Sequence, residues 1–172
     1  LSLIPHQENR GAADLEAIAL GDDNVFLRAA ALEALRFRLD PGLLALVPKV
    51  VAKLPSETKE RAVLAESLAA VLAALRDQRA KPEFSAPAEA VIRLMDEPRA
   101  LERTKIAMGR QFAQLFGVKF VWRNGERWLA ELEFAQRGGK QPKRDRRYAG
   151  QPTFAGIEGT GDRICYVIDM SD

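Results

Sequence analysis

The sequence predicts a mainly α protein: a right-handed, solenoid-like series of helical hairpins followed by a C-terminal extended segment or strand. Three observations lead there. Apolar residues recur at helical spacing through most of the chain. Turn and capping residues break that periodicity at short intervals. Two of the resulting helices also match each other at an offset of 33 residues, Arg28 to Arg61.

The first helix is expected over Ala12 to Leu20, with Leu15, Ile18 and Ala19 on one face. Gly21-Asp22-Asp23-Asn24 ends it and supplies an N-cap for the next, because a side-chain oxygen can accept from a free backbone N–H. The second helix runs from about Val25 to Leu39, with Leu27, Ala31, Leu32, Leu35 and Leu39 as its stripe. Asp40-Pro41-Gly42 breaks it, and Pro41 suits the first turn of a third helix. That helix would bury Leu43, Leu44, Val47, Val50, Val51 and Leu54 and kink at Pro48, which lacks an N–H. Pro55-Ser56 restarts the chain into a long Ala- and Leu-rich helix reaching about Arg79.

Lys81 to Pro87 reads as a loop because of its two prolines, and Ala88 to Met95 as a short helix. A longer helix starts at Pro98, carries Leu101, Ile106, Phe112, Leu115 and Phe116, and ends at Gly117. Val118 to Trp122 fits a short strand. Asn124-Gly125 is a turn, and Glu126 to Gln136 forms a last helix with Trp128, Leu129, Leu132 and Phe134, which the core aromatics Trp122 and Trp128 plug onto the solenoid end. The expected organisation is a helical domain over 1–136, a basic Gly- and Pro-containing linker over 137–162, and a strand with a loop over 163–172.

The matched pair is Arg28-Ala-Ala-Ala-Leu-Glu33-Ala-Leu35 and Arg61-Ala-Val-Leu-Ala-Glu66-Ser-Leu68, both R-A-x-x-x-E-x-L. Helical pairs repeating at this period bury their apolar faces against neighbours. With the preceding Gly-Asp-Asp-Asn turn, the stretch 12–76 resembles a HEAT repeat. Glu33 and Glu66 recur at equivalent positions, where they serve either a partner or helix-surface pairing.

The 172 residues contain one cysteine, Cys165, and one histidine, His6. A single cysteine excludes an intrachain disulfide and a cysteine-rich zinc site. Most histidine-based chemistry is excluded in the same way. Glu131 and Glu133 are two apart and point to different faces of a helix, so they make no acid–base pair. Gly156-Ile-Glu-Gly159-Thr-Gly161 precedes a strand instead of opening a helix, so it reads as a glycine-rich turn and not a phosphate loop. No apolar run approaches the length of a membrane span.

The formal charge of +2 is unevenly spread. Residues 1–100 carry 13 Lys and Arg against 15 Asp and Glu, and residues 101–172 carry 13 against 9. The excess sits in Arg137, Lys140, Lys143, Arg144, Arg146 and Arg147, opposed by Asp145. Such a run either attracts an anion, including a nucleic-acid backbone, or is a linker extended by self-repulsion.

Ile164-Cys-Tyr-Val-Ile168 is an unbroken apolar run ending in Asp169-Met-Ser171. That pattern fits a strand buried on both faces with oxygen ligands at its carboxyl end. It resembles the first strand and D-x-S-x-S loop of von Willebrand factor type A domains. Thr153 to Ile157 looks like the lead-in found in bacterial proteins that join helical repeats to such a domain. The resemblance implies a metal-ion-dependent adhesion site in which Asp169 and Ser171 are the first ligands of Mg²⁺ or a similar cation. The second serine falls after Asp172, so the site is expected to be incomplete here and the stretch itself to bind no cofactor.

Taken together, the expected function is a non-catalytic protein–protein interaction scaffold preceding a metal-dependent binding domain. The alternative is a nucleic-acid-binding helical module that uses the basic run at 137–147. The Leu at position 1 implies a missing or processed start, and the cellular location is left open.

Overall fold

The structure, a computed structural model, describes residues 11–138 and two short strands at 153–154 and 157–158. The helices belong to one compact unit, Leu1–Lys140, and the strands to a second, Gln141–Asp172.

Among the described residues there are seven α-helices: α1 (Ala12–Gly21), α2 (Val25–Arg38), α3 (Leu43–Ala52), α4 (Thr58–Ala74), α5 (Pro82–Arg93), α6 (Glu102–Phe116) and α7 (Gly125–Gln136). Asn24 caps α2, its side chain accepting from the Phe26 and Leu27 amides at 2.9 and 3.4 Å. Glu57 caps α4, accepting from the Glu60 amide at 2.6 Å. Gly117 ends α6 in the left-handed conformation, at φ 71°.

Alternate helices pack side by side. α1, α3, α5 and α7 form one layer, and α2, α4 and α6 form the other. Between the layers lies one continuous apolar core. Leu15, Leu32, Leu35, Leu46, Leu64, Leu68 and Leu72 fill it near α1 to α4. Phe84, Phe112 and Trp128 fill the far end. The Trp128 ring contacts Phe112, Phe116 and Trp122, with centroids 5.7, 6.2 and 4.7 Å away. Its Nε1–H donates to the Trp122 carbonyl at 3.0 Å, so the ring is buried without an orphan donor.

Several local expectations change, and α6 starts at Glu102 and not at Pro98. The prolines at 82 and 87 lie within α5 and not in a loop. Pro82 takes the first helical position, where the missing N–H has no helical partner anyway. The long fourth helix stops at Ala74 and continues only as a 3-10 turn, Arg76–Gln78. Val118 to Trp122 forms no strand.

The fold class itself is corrected. In place of a right-handed HEAT-like solenoid leading into a strand, the described residues form an all-α helical bundle. Their β-structure is confined to Thr153–Phe154 paired antiparallel with Ile157–Glu158. A von Willebrand A domain needs a parallel sheet, and none is described. The supposed lead-in, Thr153 to Ile157, itself contributes residues to both strands of that antiparallel pair. The apolar run 163–172, with Asp169, Ser171 and Cys165, lies outside the described residues, as does His6. A short apolar run fits several environments, and ten residues specify no tertiary partner.

Candidate protein-interaction surface

Helix α2 is the end helix of its layer among the described residues, packed on α1 and α4. Its inward face buries Val25, Arg28, Ala31, Leu32 and Leu35. Its outward face also carries large apolar side chains. Phe26 is 69% exposed and Phe37 76% exposed. At 100° per residue, eleven residues bring a helix back to within about 20° of the same direction. The two rings therefore stand in line, about 16 Å apart along the axis. Ala30 and Glu33, both half-buried, lie between them along that line.

Leu39 continues this apolar surface past the helix end. It is 61% exposed and holds a left-handed backbone, with φ 49°. Among the described residues it is the one non-glycine with positive φ. A leucine there costs about 1 kcal/mol relative to glycine. The Arg36 guanidinium lies 4.9 Å from the Phe37 ring centroid and is ion-paired to Glu33. The charges beside the aromatic face thus neutralise one another.

The matched arginines have related roles at the layer boundary. Arg28 donates through Nε to the Ala19 carbonyl and through Nη2 to the Lys53 carbonyl, both at 3.0 Å. It therefore ties α2 to the C-terminal ends of α1 and α3, where helix dipoles favour a cation. Arg61 donates to the Pro55 carbonyl at 3.3 Å and forms a two-pronged pair with Glu97 at 2.7 and 2.5 Å. The Glu97 hydrogen bond holds the Arg61 pKa above its ordinary value. The matched glutamates differ: Glu33 pairs with Arg36, and Glu66 accepts from the buried Thr104 hydroxyl at 2.8 Å. These carboxylates are engaged in structural contacts.

Of the basic residues singled out from sequence, only Arg137 is described. It caps α7 and pairs with Glu133 one turn back. Lys140, Lys143, Arg144, Arg146 and Arg147 lie outside the described residues. Among the described residues, no group of three or more His, Cys, Asp or Glu side chains is placed to hold a metal ion. The expected Mg²⁺ site at Asp169 and Ser171 therefore has no support: those residues lie outside the described ones, and no parallel sheet is described to host it. No described helix is long and apolar enough to cross a membrane.

Sequence reasoning placed Leu39 in the core stripe and passed over Phe26 and Phe37. The signal was their eleven-residue spacing, which sets them opposite Leu32 and Leu35. Comparison with models of known families, with characterised proteins and with solved structures finds no match to this chain.

Proposed function

We propose that the helical unit is a non-catalytic protein-binding module whose contact surface is the outward face of α2. The observation that carries this reading is the exposure of Phe26 and Phe37 on one line of a helix already anchored by its other side. Covering each ring releases roughly 2 kcal/mol of apolar hydration, enough for the pair to dominate a modest interface. Two aromatic anchors in line, with the small Ala30 between them, suit a partner helix laid along α2.

Replacing Phe26 and Phe37 with Ser together tests this reading. The fold is expected to keep its melting temperature within about 2 °C, since neither ring supports the core. Native-state sizing in the cells that express the chain should show the unaltered protein in an assembly and the double variant as a free chain. Equal sizes for the two would contradict the proposal.

A further inference from the structure

We infer that the loop between α6 and α7, together with the outward face of α6, is a peripheral contact for an anionic lipid surface. It uses other residues than the outward face of α2 and does not depend on how that face is read.

Residues 102–124 carry five Lys and Arg against one Glu. That carboxylate, Glu102, is taken up by Lys105 at 3.0 Å and Arg123 at 3.7 Å. Arg103, Arg110 and Lys119 are exposed, and none has a hydrogen-bond or ion-pair partner among the described residues. They stand as uncompensated positive charge. Glu126 and Arg127, in the first turn of α7, balance each other in sign. Arg103 and Arg110 are two helical turns apart, so they share one line of α6, about 10 Å apart along the axis.

The loop brings apolar side chains beside that line. After Gly117 ends α6, the chain turns back along the helix. A Cβ built on Gly109 would lie 2.9 Å from the Val121 Cγ1, and Arg123 reaches Glu102 at the helix start. Gly109 is about a quarter turn from the Arg103–Arg110 line, so a broad flat surface laid against this side of α6 meets both. The loop is fixed from beneath. The Trp122 carbonyl accepts from Trp128, and the Gly125 amide donates to the Asp96 carboxylate at 2.8 Å. On its outer side Phe120 is 70% exposed and Val121 42% exposed.

One exposed phenylalanine is ordinary on a protein surface. Here two consecutive apolar side chains are held outward by an anchored loop, with Lys119 before them. Such side chains enter the headgroup–acyl boundary while long cationic ones stay among the headgroups. Each unpaired cation at that depth favours anionic lipid by about fivefold in partitioning. A nucleic-acid strand fits this face less well, because base stacking would use the Phe120 ring and leave the aliphatic Val121 without a role.

Flotation of the full chain with lipid vesicles tests the inference. Phosphatidylcholine vesicles with about 30% phosphatidylserine should carry the protein at about 0.05 M salt, and about 0.5 M salt should release it. Vesicles of phosphatidylcholine alone should carry little. Arg103→Ser with Arg110→Ser should lower partitioning about twentyfold. Phe120→Ser should lower it about tenfold, and Phe120→Trp should retain it, with emission shifted to the blue on the vesicles. Circular dichroism confirms that each variant is folded. Phe26→Ser with Phe37→Ser should leave vesicle binding unchanged, which keeps this contact distinct from the protein-binding one. No binding to the anionic vesicles, equal binding to the neutral ones, or binding untouched by the changes at 103, 110 and 120 would overturn the inference. Single-stranded DNA held more tightly than the vesicles at the same salt, and through the same residues, would overturn it too.

Discussion

The Nε of Arg28 donates to the carbonyl oxygen of Ala19 at 3.0 Å, and the same guanidinium reaches the Lys53 carbonyl. One buried side chain thereby joins α2 to the ends of both neighbouring helices in the other layer. It also fixes the base on which the Phe26–Phe37 stripe stands.

Arg28→Ala removes donors from two helix-end carbonyls in a site with little access to water. A loss of about 2–4 kcal/mol is expected, from the two hydrogen bonds and the buried stem. Arg28→Lys should recover only part of it, because one ammonium cannot reproduce the spread of the guanidinium fork. Urea denaturation followed by circular dichroism measures both. A change below about 0.5 kcal/mol for the alanine variant would show that the contacts carry no net stability.

Gly109 faces the backbone of the loop before α7. A Cβ built there would lie 2.6 Å from the Trp122 carbonyl oxygen, a backbone atom that also accepts from Trp128. Gly109→Ala is expected to destabilise the fold by about 1–3 kcal/mol despite the better helix propensity of alanine. Tryptophan emission should report displacement of Trp122 from Trp128. Unchanged emission and stability would contradict the close approach.

Glu57 connects stability to pH. The Glu60 and Lys59 amides hold its carboxyl below the ordinary 4.5, chiefly through the bond from Glu60. In the unfolded chain the carboxyl takes up a proton first as pH falls. The capping contribution is therefore complete above about pH 5 and is lost as pH falls through 4.5 and then through the lower folded value. Glu57→Gln should flatten this part of the stability profile between pH 6 and pH 3, measured as unfolding midpoints. Parallel profiles for the two proteins would contradict it.

Leu39 separates folding from binding. Leu39→Gly relieves the left-handed strain and should stabilise the monomer by about 1 kcal/mol. The same change removes an exposed apolar contact and should weaken association through α2. Thermal unfolding and native-state sizing are expected to move in opposite senses. A variant that gains stability with no loss of association would place Leu39 outside the contact.

Much of the helical unit was legible because periodicity and capping agree. Asn24 and Gly117 act at the boundaries where residue type placed them, and the Trp122–Trp128 contact follows from two core aromatics near a turn. The proline-started α5 was not legible, because a proline at the first helical position looks the same as one in a loop. The role of Arg28 depends on the ends of α1 and α3 converging, which is tertiary information. The exposed apolar face of α2 was not legible for another reason. Attention to apolar stripes as core leaves no place for a second stripe on the opposite side of the same helix. The strand reading at 163–172 borrowed a family pattern from a short apolar run, and no parallel sheet occurs among the described residues.

The outward face of α2 is proposed to contact protein. Photo-crosslinking from benzoylphenylalanine placed singly at positions 26, 37 and 127 tests it most directly. Position 127 lies on an exposed part of α7 in the other layer. Positions 26 and 37 should each give a discrete protein adduct, and position 127 should give none. Equal labelling from all three positions, or no adduct from 26 and 37, would contradict the claim.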